Sequence, residues 1–132
     1  VLFRSRRFNH LVYKGKLLPT AFKFNPGCSV SRACYLDDPA DILLPEYQTW
    51  GIASFRVQDI PQSITHRDSQ QTFDIQVEHT PKDSDYPHSD IFCYLQGDRY
   101  TNRENSKFRF IAKKLQLHLY QKNAIKINKL PD

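Results

Sequence analysis

The sequence predicts an α+β domain, a small sheet of short strands carrying one main amphipathic helix near the C-terminus. Three observations lead there. In Thr72–Glu78, apolar Phe73, Ile75 and Val77 alternate with Asp74, Gln76 and Glu78, the period of a half-buried strand. From Glu104 to Gln121, Phe108, Ile111, Ala112, Leu115 and Leu119 recur at helical spacing, with Lys107, Arg109, Lys113 and Lys114 on other faces. A chain of 132 residues with 39% hydrophobic content makes one domain with one core. Its mean hydropathy of −0.62 asks for a small core and a wet surface.

Taken in order, the chain opens on Val1–Ser5 (VLFRS), which a common sequencing-adapter oligonucleotide would encode in frame, and it has no initiator Met. The expectation is an environmental read whose native N-terminus is missing and in which Arg4 carries no functional weight. Between Arg6 and Phe24, apolar runs at Leu11–Tyr13 and Leu17–Leu18 flank Lys14–Gly15–Lys16, a turn between extended pieces. Asn25–Pro26–Gly27 is a strong turn signal, and Cys28–Arg32 alternates as a short strand would. Asp37–Asp41 has the Asp cap, first-turn Pro and following acid of a helix start, with the helix running over Ile42–Leu44 and ending near Pro45. Trp50–Val57 reads as a buried strand, Asp59–Pro61 as a turn or short helical start, and polar Ser63–Gln71 as a surface loop. Ile91–Leu95 is a further apolar run, Gly97–Asp98 turns the chain, and Ile125–Leu130 adds a short edge strand.

The net charge of +5 is unevenly spread. Residues 1–32 hold seven Lys/Arg and no acid, residues 33–98 three bases against twelve acids, and residues 99–132 nine bases against two acids. Basic ends can clasp an acidic middle, or one of them can face a polyanion. Cys28, Cys34 and Cys93 are odd in number and form no CxxC pair, which suits reduced thiols in a cytoplasmic protein better than a disulfide framework or a zinc knuckle. No run approaches the ~20 apolar residues of a membrane helix, and no apolar segment follows the first arginines as a signal peptide requires. No membrane partner is expected.

His79–Asp90, HTPKDSDYPHSD, is the chemically richest stretch, with two imidazoles, three carboxylates, a lysine and two prolines directly after a strand. Read as a loop on a rigid strand end, it is where a site belongs. His79 and His88 could flank a phosphodiester as an acid–base pair, one ring taking a proton while the other gives one. Arg32 or Lys82 would hold the phosphate, and Ser29, Ser31 and His10 would complete a metal-free, ribonuclease-like arrangement. Two exposed histidines in a polar turn are the plainer account.

A metal would draw on His79, Asp83, Asp85, His88 and Asp90, but the spacing is neither HExxH nor a calcium loop. No metal and no cofactor is expected. GxSxG, Walker A and dinucleotide patterns are absent, and four glycines leave no room for a Gly-rich phosphate loop. Lys107, Lys113 and Lys114, interleaved with Tyr100, Phe108, Phe110 and Tyr120, suit the phosphates and bases of RNA or a single strand. A solvated helix face explains them as well, and Phe108 falls on the apolar stripe.

Three blocks in order resemble a family of small uncharacterised bacterial proteins with the pattern AF…LSVxR, WGxA and P…HAxI. They are Thr20–Ala21–Phe22 with Cys28–Arg32, then Trp50–Phe55, then His79–Thr80–Pro81 with Pro87–Ile91, followed by the helix from Phe110. The resemblance covers about residues 16–120. Cys28 stands where the family shows Leu, and Ser89 where it shows Ala. The family has no settled activity, so the resemblance implies a bacterial, cytoplasmic origin and singles out Phe22, Ser29, Arg32, Pro87 and His88. Core packing accounts for Phe22 and a turn for Pro87; Arg32 and His88 are harder to assign to packing, since such groups are rarely buried without a partner.

The leading expectation is a domain that binds nucleic acid or a nucleotide. Arg32 holds phosphate, and His88, partnered by His79, is the chemically active group of any metal-independent cleavage. Whether the chain is an enzyme is left open. The alternative is a non-catalytic protein-interaction module or antitoxin-like accessory subunit.

Overall fold

The structure, a computed structural model, describes residues 2–5, 12–32, 34, 51–82, 88–102 and 107–129. Its strands are β1 (Leu2–Ser5), β2 (Val12–Tyr13), β3 (Lys16–Leu17), β4 (Cys28–Ser31), β5 (Gly51–Ser54), β6 (Ser63–Thr65), β7 (Thr72–His79), β8 (His88–Leu95), β9 (Asp98–Arg99) and β10 (Lys126–Lys129). The helix α1 spans Lys107–Gln121. A curled antiparallel sheet in the order β10-β5-β1-β4-β8-β7-β6, with β9 beside β8, packs α1 on one face; β2 and β3 form a separate hairpin. This is the small α+β fold expected from the sequence.

Local chemistry explains most of the elements. Lys14 (φ 50°) with Gly15 (φ 78°), and Gln96 (φ 52°) with Gly97 (φ 87°), sit at the centres of two-residue hairpin turns. Paired positive φ values match the twist of the flanking strands, and glycine takes them without strain. In α1 the five residues of the apolar stripe, Phe108, Ile111, Ala112, Leu115 and Leu119, are all buried. The helix ends on Asn123 (φ 52°), where Ala124 N–H donates to the Leu119 carbonyl and Asn123 N–H to that of Tyr120. These are the two bonds of a Schellman cap. The β2–β3 hairpin is tied to α1 through Leu17, whose N–H donates to the Tyr120 hydroxyl and whose carbonyl accepts from Gln116 Nε2 at 3.1 Å.

The sheet departs from the sequence reading in three places. Ser63–Thr65, expected in a loop, forms β6, anchored by the buried Ile64 and by pairing with Thr72–Asp74. One apolar residue gives a three-residue strand no readable period. β5 stops at Ser54, and Val57 opens a single 3-10 turn instead of continuing the strand. β8 begins at His88, three residues before its apolar run, because His88, Ser89 and Asp90 pair with Ser31, Val30 and Ser29 of β4. Two neighbouring strands fix that polar start more firmly than its own side chains do. The helix read over Ile42–Leu44 and the helix start at Glu104 lie outside the described residues.

Leu2–Ser5 pairs along its whole length with β5 and touches β4, between the two. Removing residues 1–5 strips a strand from the middle of the sheet and leaves two facing edges unpaired. The loss of several ladder bonds at about 1 kcal/mol each is expected to lower the thermal midpoint by about 10 °C in calorimetry. An unchanged midpoint would show that this segment adds nothing to the fold, as an adapter-derived sequence would.

Alternation along the strands sorts the side chains onto two faces. Cys28, Val30, Phe73, Ile75, Ile91 and Cys93 join the core beneath α1. Ser29, Ser31, Glu78, His88, Asp90, Phe92 and Tyr94 stand on the opposite face. There the Arg99 guanidinium stacks 3.8 Å from the Phe92 ring centre and lies 3.2 Å from Glu78 Oε1, while the Tyr94 hydroxyl donates to Glu78. A Cβ on Gly27 would come within 2.8 Å of the Phe92 ring, so this close approach requires glycine. No helix among the described residues is long and apolar enough to cross a membrane.

Candidate functional site

The end of β4, the end of β7 and the start of β8 meet at one end of the sheet. Ser29 faces Asp90, Val30 faces Ser89 and Ser31 faces His88 across β4 and β8; His79 faces Ser89 across β7 and β8. This register brings Ser29, Ser31, Arg32, His79 and His88 of the expected site to a single strand end.

His88 is 4% exposed. Its Nδ1 lies 2.9 Å from the Thr80 carbonyl oxygen and 3.0 Å from Thr80 Oγ1. A carbonyl can only accept, so Nδ1 carries the hydrogen; in the neutral ring, Nε2 is then a bare lone pair. Thr80 Oγ1 passes its own hydrogen to Asp90 Oδ2 at 2.7 Å, and Ser29 Oγ donates to Asp90 Oδ1 at 3.3 Å. Imidazole, hydroxyl and carboxylate thus form one directed chain that fixes the ring and its tautomer. Nε2 is buried and has no partner among the described residues.

Arg32 lies one residue past β4. Its Nη2 is 3.5 Å from the Val77 carbonyl of β7, a reach across β8, while its Nε is buried and has no partner among the described residues. No carboxylate among the described residues pairs with it. Continuing the alternation of Cys28 and Val30 puts Arg32 on the α1 side, with His79 and Ser89. Ser89 is fully buried and its Oγ has no partner among the described residues.

The same period corrects the expected acid–base pair. His79 shares the α1-side row with Ser89, while His88 projects from the other face, so the sheet stands between the two rings. They cannot both reach the reacting atoms of one phosphodiester. The five-residue metal set is broken by the same step: His79 is separated from His88 and Asp90, Asp83 and Asp85 lie outside the described residues, and no three His, Cys, Asp or Glu among the described residues group as ligands. Lys82 is exposed, and His10 lies outside the described residues.

The basic helix residues do not join this site either. Lys107 donates to Gln71 Oε1, and Lys114 lies with β6 along one edge of the sheet. β6 pairs with Thr72–Asp74, six or more residues back along β7 from Thr80, which is roughly 20 Å at about 3.3 Å per residue. The aromatics expected to stack on bases are engaged in packing: Tyr100 meets Phe73 and Phe108 edge-on at 5.0 and 5.1 Å, and Phe110 meets His66 at 4.8 Å.

Comparison with family models, curated proteins and solved structures finds no match for this chain. The likeness to small bacterial proteins accordingly rests on its short sequence blocks and assigns no residue a role. Thr80 and Ser89 entered the sequence reading only as members of the resembling blocks, and Asp90 there and among the metal ligands. Their grouping depends on register; given it, the odd and even positions of β7 and β8 would have paired Thr80 and Asp90 with His88.

Proposed function

We propose that this chain binds a phosphate-bearing ligand, a ribonucleotide or RNA, at the sheet end where Arg32 stands on the α1 side and Ser31 and His88 on the other, the ligand passing round the strand end between them. One observation carries the reading: two buried polar atoms without partners among the described residues, Arg32 Nε and His88 Nε2, sit at the ends of adjacent strands. Buried polar atoms are almost always bonded, and leaving one unmade costs about 1–3 kcal/mol. A guanidinium with no carboxylate partner favours an anion, and phosphate matches its fork. A bare imidazole lone pair favours a hydroxyl that donates. A phosphate next to a ribose hydroxyl supplies both, and the 2′-OH is what separates RNA from DNA at a binding site. Cleavage by paired histidines is not carried into this proposal, since the rings of His79 and His88 stand on opposite faces of the sheet.

A second reading, a non-catalytic protein-interaction module, is favoured by the bond of His88 to the Thr80 backbone, which also suits a purely structural histidine. Against it, the large apolar side chains exposed among the described residues are two scattered ones, Val57 and Leu117.

Fluorescence anisotropy with labelled ten-nucleotide RNA and DNA of matched sequence, at two salt concentrations, separates the readings. Binding is expected to weaken with salt and to favour RNA. Arg32→Ala and His88→Gln are each expected to lower affinity about tenfold or more, with unchanged circular dichroism. No binding of either strand or of a mononucleotide at low salt would end the proposal.

A further inference from the structure

A groove of about 350 Å³ runs between β6 and the C-terminal half of α1, with Pro61, Ile64 and Thr65 on one wall and Lys114, Leu117 and His118 on the other. Four properties of it point outward. Among the described residues β6 pairs only with β7, so its far backbone edge has free hydrogen-bonding groups, the template on which an added strand forms. Leu117 is 43% exposed on a helix whose other large apolar residues are covered. His118 Nε2 is buried without a partner among the described residues. Lys114 is exposed, its Nζ lies 5.5 Å from the centre of the Phe110 ring, and no carboxylate among the described residues pairs with it.

We infer that this groove takes an extended acidic peptide segment of a partner protein, added as a strand against β6. Successive side chains of an extended strand point to opposite sides. Apolar residues of the peptide then rest on Leu117, and carboxylates at the rim meet Lys114, the mixture of main-chain bonds and alternate side-chain contacts by which peptides add to sheet edges. A nucleic-acid strand fits less well. It needs a run of cations and aromatic faces for stacking, whereas the groove offers one lysine and mainly apolar and hydroxyl-bearing walls. A second copy of this chain is also a poor occupant, since its own β6 segment, Pro61–Arg67, carries no acid. The inference stands apart from the Arg32–His88 site, which lies roughly 20 Å away along β7.

The test uses a fluorescein-labelled octapeptide of alternating glutamate and valine, with its lysine–valine counterpart, titrated against the full chain. Saturable binding of the acidic peptide alone is expected, with about tenfold loss in Leu117→Asp and in Lys114→Glu. Both positions are exposed, and circular dichroism checks that the fold persists. Absence of saturation by about 1 mM peptide, equal affinity in both variants, or displacement of the peptide by a ten-nucleotide RNA would each overturn the inference.

Discussion

Between pH 9 and pH 11 the unfolding free energy is expected to fall by about 4–5 kcal/mol. The cause lies under α1, where Cys28 and Cys93 are 1% and 0% exposed. Burial pushes the Cys28 thiol far above its ordinary range, with the Asp90 carboxylate and Cys93 adding to it, and burial pushes Cys93 up to about 12. Both folded values lie above the unfolded one, so the contribution is fully present below about pH 9. Above that, the unfolded chain releases protons that the native state must keep, and stability drops by about 1.4 kcal/mol per pH unit for each thiol until the folded values are reached. Tyr100, also raised by burial, acts in the same direction at higher pH. Urea unfolding at pH 8 to 11 measures the slope, and Cys28→Ala with Cys93→Ala should flatten it. A flat profile in the unmodified chain would contradict the burial of these thiols. In the native state at pH 8, a thiol reagent is expected to label the exposed Cys34 well ahead of the other two, because the thiolate is the reacting form.

Phe73→Ala is expected to cost about 3–5 kcal/mol, a large share of the 5–15 kcal/mol that holds an ordinary domain. Phe73 is fully buried at the start of β7. Its ring meets Tyr100 edge-on, and Tyr100 in turn meets Phe108 of α1, so one truncation loosens the junction of helix and sheet. The expected cost combines the lost burial with the cavity left behind. Denaturant unfolding of the variant checks it, and a cost under about 1 kcal/mol would place the ring outside the core.

What the sequence made legible was burial that repeats. The α1 stripe and the Phe73–Ile75–Val77 alternation are local patterns of one-sided burial, and both elements form where those patterns lie. What it hid was register. Polar His88–Asp90 becomes strand because β4 and β7 flank it, and β6 exists because β7 offers an edge. The candidate site followed the same division. Arg32 and His88 were legible as residues that packing alone explains poorly, and Ser31 as a hydroxyl that could join them; the three do share a strand end. That His79 and His88 occupy opposite faces was not legible, since a shift of one residue in the pairing exchanges the faces. The role of Thr80 and Asp90 in holding the His88 ring was hidden for the same reason.

The central claim is that the His88 ring is held Nδ1–H inward, leaving Nε2 for a hydroxyl of a ligand whose phosphate reaches Arg32 round the strand end. Ring ¹⁵N NMR of histidine-labelled protein, with and without uridine monophosphate, tests it most directly. The account predicts a protonated Nδ1 and a bare Nε2 in the free protein, an Nε2 resonance that moves on adding nucleotide, and no movement in Arg32→Ala. A hydrogen on Nε2 with a bare Nδ1, or an Nε2 resonance indifferent to nucleotide and RNA alike, would contradict it.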